Sequence, residues 1–187
     1  MLFSLLDFPI VIAGGRIYYD SNGEYKVEVF DDIVSCFVDP LPIRLSSAAG
    51  DNGVICGGSE SFESKGYNPY HKATNKCWQL QPDGKWKSIK NMFYSRKEFT
   101  LTAVGDELFA IGGVFFSHAK AFSKREREVE KYTIKGNDSS WSVMSFTPRA
   151  IWAHCTATLN SSHLMVIGGE VPFQSSEVRI WLIIKFK

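Results

Sequence analysis

The chain has 187 residues, of which 44% are hydrophobic, 14% aromatic and 22% charged, with 15 glycines. That composition lies outside the polar, charge-rich range that stays disordered, and its aromatic and glycine content favours an all-β protein with shaped turns. A net charge of +1, spread along the chain, supplies no strong positive field for nucleic acid or an anionic membrane, and no apolar run of about 18 residues predicts a spanning helix.

Residues 1–13 are apolar but contain no basic residue, include Asp7 and end on a motif that recurs, so they read as a strand and not as a leader. The motif is a glycine doublet behind a short apolar run: Gly14-Gly15, Gly57-Gly58, Gly112-Gly113 and Gly168-Gly169. Its second glycines lie 43, 55 and 56 residues apart. Other features keep step with it. Trp86 follows Gly58 by 28 residues and Trp141 follows Gly113 by 28, while Cys36-Phe37 stands at that place in the first unit. Ahead of these positions come strands with a central aromatic (27–31, 77–80 and 129–134). Behind them come Arg-bearing turns, namely Pro42-Ile43-Arg44, Ser95-Arg96 and Pro148-Arg149. Small-residue strands at 45–49, 99–104 and 152–159 lead back to the next doublet.

The pattern resembles the kelch repeat, whose period of about 50 residues builds one four-stranded blade. A WD40 reading fails, because the repeat has no Gly-His…Trp-Asp pair. The resemblance covers nearly the whole chain and implies a partial kelch-type β-propeller of about four blades, at 9–39, 44–91, 98–145 and 152–187. Its blades are four-stranded antiparallel sheets with strands A to D from inside outward. In that register the chain reads B-C-D, A-B-C-D, A-B-C-D, A-B-C, with the first blade short of its inner strand and the last of its outer one. It therefore reads as a piece of a larger propeller. Each doublet ends a B strand, where glycine allows positive φ and close backbone approach, and each tryptophan wedges one blade against the next.

In an antiparallel blade the B–C and D–A connections leave at one end. The long B–C connections, 59–75 and 114–126, carry Tyr67, Tyr70, His71, Lys72, Phe115, Phe116, His118, Lys120 and Phe122. Arg44, Arg96 and Arg149 open on that same end. By resemblance this face grips another protein or peptide, often through arginines; the alternative is that these arginines belong to the repeat and serve the fold. The kelch likeness implies a binding module. It would be the substrate-recognition part of a cullin-type ubiquitin ligase if a BTB domain precedes it, with a secreted scaffold as the alternative and an oxidase- or sialidase-type propeller enzyme the rival class.

Catalytic, cofactor and metal sites are not assigned. His71, His118, His154 and His163 fall in different repeats without ligand spacing. Glu28, Asp32 and Cys36 match an iron-binding spacing but lack its histidine, and the turn at 82–86 resembles an Asp-box that occurs once. The alternating charges at 124–128 read as a solvated loop running into a strand. Cys56 and Cys77 sit on consecutive antiparallel strands, where they can face each other at disulfide distance; Cys36 and Cys155 fall in separate blades. Sequons at Asn137 and Asn160 lie at the end opposite the proposed face. Cytoplasm and extracellular space fit these facts equally.

Overall fold

The computed structural model describes residues 2–3, 10–12, 28–30, 38–39, 41–43, 45–62, 70–117, 122–134, 139–172 and 180–185. Its described strands form antiparallel meanders in step with the glycine doublets. The second blade comprises β5 (Ala49–Asp51), β6 (Val54–Cys56), β9 (Cys77–Leu80) and β10 (Trp86–Ile89). The third comprises β11 (Thr100–Val104), β12 (Glu107–Ile111), β15 (Glu128–Thr133) and β16 (Trp141–Phe146). In the fourth, β17 (Cys155–Asn160), β18 (His163–Ile167) and β19 (Ile180–Lys185) pair in order. The first blade departs from expectation. Strand β1 (Leu2–Phe3) pairs with β2 (Ile10–Ile12), which pairs with β3 (Glu28–Phe30), and β1 lies beside β5. An inner strand therefore stands before the doublet, from residues that the sequence register placed outside the blade.

Strands β6 and β12 are buried on both faces, and the period of two divides their side chains between neighbouring junctions. In β6, Ile55 packs with Leu45 and Trp78 toward the first blade. Val54 and Cys56 join Leu108, Ala110, Tyr132 and Trp141 in the junction with the third blade. In β12 the same alternation sends Phe109 and Ile111 the other way, onto Ile151, Leu164 and Val166 of the fourth-blade junction. Burying each such side chain contributes about 1.5–3 kcal/mol.

Both repeat tryptophans reach back one blade. The Trp141 indole N–H donates to the Lys90 carbonyl at 2.9 Å, and that of Trp86 to the Asp39 carbonyl at 2.8 Å. Trp141 also packs on Tyr132, ring centroids 5.2 Å apart. The inner strands β5, β11 and β17 lie side by side. Asp51 Oδ2 accepts the Ala103 N–H at 2.7 Å, Thr158 Oγ1 donates to the Ala103 carbonyl at 3.0 Å, and the Thr102 and Thr156 hydroxyls meet. Successive sheets thus repeat one relation around a shared inner layer, as propeller blades do.

The doublets hold these junctions. Gly57 and Gly58 have φ of 60° and 93°. A Cβ on Gly57 would lie 2.6 Å from the Arg96 carbonyl oxygen and from the Phe99 ring, so only glycine admits the chain entering the next blade. The D–A connections carry a second regular device. Ser47, Glu98 and Ala153 all have positive φ, and they are bonded in series: Glu98 N–H donates to the Ser47 carbonyl at 3.1 Å, and Ala153 N–H to that of Glu98 at 2.8 Å.

That series corrects the alignment of the arginine turns. Two residues before its members stand Leu45, Arg96 and Ile151. The Arg96 and Ile151 carbonyls accept equivalent bonds, from Gly58 and Gly113. The structural counterpart of Arg96 is Ile151, not Arg149, and the three arginines do not occupy one repeated position.

Candidate partner-binding face

At the B–C end the chain does not form loops throughout, as the sequence suggested. Beyond Gly57-Gly58, strands β7 (Ser59–Phe62) and β8 (Tyr70–Ala73) form a hairpin; beyond Gly112-Gly113, so do β13 (Val114–Ser117) and β14 (Phe122–Arg125). The hairpins meet edge to edge where Ser117 pairs with Lys72, and β4 (Leu45–Ser46) adds to β7. The result is one five-stranded sheet, in the order β14-β13-β8-β7-β4, standing over the second and third blades. It is anchored to the D–A connection by reciprocal backbone bonds between Lys97 and Val114, 3.0 and 2.9 Å long.

Charge and aromatic contacts secure this crown. Lys76 pairs with Glu60 at 3.1 Å. Lys124 holds Glu126 at 2.8 Å and Glu128 at 3.6 Å, and its ammonium lies 5.1 Å from the Tyr94 ring centroid. The hydrogen bond to Glu126 raises the Lys124 pKa, while burial raises that of Glu126. The Arg125 guanidinium lies over the Trp152 ring at 4.9 Å. Lys72, Arg125, Arg127 and Arg149 are exposed, and Phe93 is 64% exposed on the adjoining D–A segment.

The sequence-predicted residues divide. Arg44, Tyr67 and His118 lie outside the described residues. Tyr70 and His71 fall on β8 and Phe116 on β13 by their backbone; Phe115 is half-buried on β13. Arg149 is exposed on the connection into the fourth blade.

Arg96 is not at the surface. Its side chain is wholly buried, 2.7 Å from Glu130, and donates to the carbonyls of Gly112 and Glu128 at 2.8 and 2.9 Å. The Tyr94 and Phe99 ring centroids lie 5.8 and 5.9 Å from its guanidinium carbon. Glu130 in turn accepts the N–H groups of Phe93 at 2.6 Å and Tyr94 at 3.2 Å. Burial lowers the Arg96 pKa while Glu130 raises it. This arginine locks a blade junction and cannot meet a partner. Sequence reading missed Lys124, Arg125 and Trp152 as surface-shaping residues; the signal was the β-prone run Val114-Phe115-Phe116-Ser117 directly after a doublet.

Cys56 and Cys77 are joined by a disulfide, with Cα atoms 4.1 Å apart, and Cys155 is free and exposed. Gly57 N–H donates to the Lys76 carbonyl, so the cysteines form a non-hydrogen-bonded pair, the closer of the two antiparallel spacings. The bond closes the neck of the β7–β8 hairpin. Among the described residues no group of three His, Cys, Asp or Glu side chains could hold a metal ion.

Comparison with known proteins supplies the family. No family model matches the chain. It is 30% identical over 130 residues to "Kelch repeat and BTB domain-containing protein 2" of Ectromelia virus, covering 68% of this chain and 20% of that protein. The Cowpox virus protein of the same name is 25% identical over 146 residues, 78% of this chain and 23% of the relative. "Kelch-like protein 36" of Bos taurus is 27% identical over 175 residues, 86% and 25%. Doublets, blades and relatives agree. These are kelch blades. The chain spans about a quarter of the length of the curated relatives it matches. The solved structure of YjhT aligns at TM-score 0.49 and 21% identity over 71% of the kelch chain and 36% of its own.

Proposed function

We propose that the crown end of this kelch chain is the docking face of a protein-interaction module, which binds another protein or peptide and performs no catalysis. The observation that carries the reading is the five-stranded crown itself. Two B–C connections that could have remained independent loops are joined into one platform spanning two blades, held on a rigid scaffold, with exposed Lys72 and Arg125 upon it. Binding residues concentrate on connections positioned in this way, and arginines and aromatics are enriched at interfaces. Where a BTB domain is joined to such a chain, the face would be the substrate-recognition part of a cullin-type ubiquitin ligase.

A photo-crosslinking amino acid placed in turn at Lys72, Arg125, Lys87 and Ser142 tests the face in cells that express the protein. All four positions are exposed, the last two on outer blade strands. Adducts from Lys72 and Arg125 alone are expected; adducts from Lys87 and Ser142 alone would move the docking surface to the rim. A secreted scaffold is the second reading, favoured by the Cys56–Cys77 disulfide. Non-reducing peptide mapping of protein from its native source decides it: a linked pair supports the secreted reading and free thiols remove its support.

A further inference from the structure

We propose that the outer edge of β14 is a strand-addition site, taking an extended segment of a partner protein with a carboxylate-bearing residue opposite Arg125. The proposal rests on the docking-face reading and names the mode of capture.

The argument starts from which backbone groups are already used. Glu126 N–H donates to the Gly113 carbonyl at 2.9 Å, so Gly113 and Glu126 form a hydrogen-bonded pair. With β13 and β14 in the register Val114↔Arg125 to Ser117↔Phe122, alternation makes Phe115–Lys124 and Ser117–Phe122 the next such pairs. The N–H and C=O of Ser123 and Arg125 therefore point away from β13. Among the described residues no strand pairs with that side of β14.

The crown itself shows what such an edge accepts. The second-blade hairpin ends on β8, and β8 is met by β13, the first strand of the next hairpin. By the same step β14 would be met by the first strand of the fourth-blade hairpin. The counterpart residues can be placed. Glu170 exchanges backbone bonds of 2.8 and 3.2 Å with Trp152, as Val114 does with Lys97. Pro172 then stands where Phe116 stands in the third blade. Val114 gives its amide to Lys97, and alternation turns the Phe116 amide the same way, toward the preceding hairpin; this position should therefore donate to β14, and proline has no N–H to give. Among the described residues the chain turns at Pro172. Proline at this position gives β14 no backbone donor.

An edge that no described strand pairs, with two outward residues and continuous with an interface the molecule already builds by strand pairing, fits an incoming strand. Charge narrows the occupant. Arg125 is exposed, and a cross-strand opposite charge is the favourable partner for it.

The test uses the full 187-residue chain. Decapeptides are selected against it from a random display library, then measured on wild type, Ser123→Pro, Arg125→Gln and Lys72→Ala. Ser123→Pro deletes one outward donor and leaves every β13–β14 bond intact. Expected are peptides bearing a carboxylate that lose at least tenfold in affinity on Ser123→Pro and severalfold on Arg125→Gln. Methylating one alternate set of peptide amides abolishes their binding, and methylating the other set does not. That methylation pattern is read on wild type, so it decides the matter even if the proline variant fails to fold. Peptides that weaken on Lys72→Ala yet ignore Ser123→Pro and amide methylation overturn strand addition and leave the docking face standing. No selected peptide, or peptides indifferent to all three substitutions, overturns both.

Discussion

Arg96→Leu isolates the buried ion pair at the junction of the second and third blades. Leucine is what the first junction uses, since Leu45 is the counterpart of Arg96 and packs on Trp78, which occupies the place of Glu130. In the third blade, however, Glu130 stays behind with both partners' side chains at 0% exposure. Removing one member of a buried pair costs about 3–5 kcal/mol, because the other charge is left uncompensated. Two carbonyls, of Gly112 and Glu128, lose their donor as well. The N–H groups of Phe93 and Tyr94 still solvate the carboxylate, which argues for the lower half of that range. A chain of this size loses roughly 2–4 °C in Tm per kcal/mol, so a fall of roughly 6–16 °C is expected. Thermal unfolding reads this shift and urea unfolding the free energy, both followed by tryptophan fluorescence, as Trp141 belongs to the same junction. Glu130→Gln and the double variant complete a cycle, with a coupling of at least about 2 kcal/mol expected. Arg149→Leu, at an exposed site, should cost no more than about 0.5 kcal/mol. A loss below about 1 kcal/mol for Arg96→Leu, or equal losses at the two arginines, refutes the assignment of Arg96 to the interior.

Other outcomes follow from the same structure. His154 is buried in the place that Phe99 takes one blade earlier, and burial lowers its pKa from 6.5 to about 4. The unfolded chain binds the proton first, so stability is full above about pH 6.5 and falls as pH drops toward 4; by linkage the loss reaches about 3 kcal/mol. Its Nδ1 has no partner; His154→Phe should flatten that acid limb in pH-dependent urea titrations, and an unchanged limb contradicts the claim. Trp141→Phe deletes the donor to Lys90 and should cost about 1–2 kcal/mol by denaturant titration; no loss would detach the indole from the neighbouring blade. Replacing both Cys56 and Cys77 with alanine opens the staple, whose 21-residue separation is worth roughly 3 kcal/mol. Reducing agent should then destabilise wild type and leave the double variant unmoved.

The repeat was legible because it is dictated by backbone chemistry. Glycine doublets are needed where φ is positive and a neighbouring carbonyl comes close, and the tryptophans keep step because each spans one junction. The inner strand at Leu2–Phe3 was not legible: two residues carry no period, and only pairing with β2 and contact with β5 define it. The arginine turns misled for a similar reason. Residue type suggested one shared position, yet the register is set by the left-handed residues Ser47, Glu98 and Ala153, whose identities share nothing. The crown escaped notice because its pairing runs between blades: Ser117 and Lys72 are distant in sequence, and no local pattern announces an edge contact. The alternating charges at 124–128 read as solvent-exposed, whereas Glu126 is buried against Lys124.

The crown is the claim on which the docking face and its open edge depend, and nuclear magnetic resonance of the labelled chain tests it directly. Ser117 and Lys72 face each other across antiparallel strands, so a cross-strand contact between their Hα protons is expected, beside those within the β13–β14 hairpin. Intact hairpin contacts with no Ser117–Lys72 contact would mean two separate loops and no shared platform.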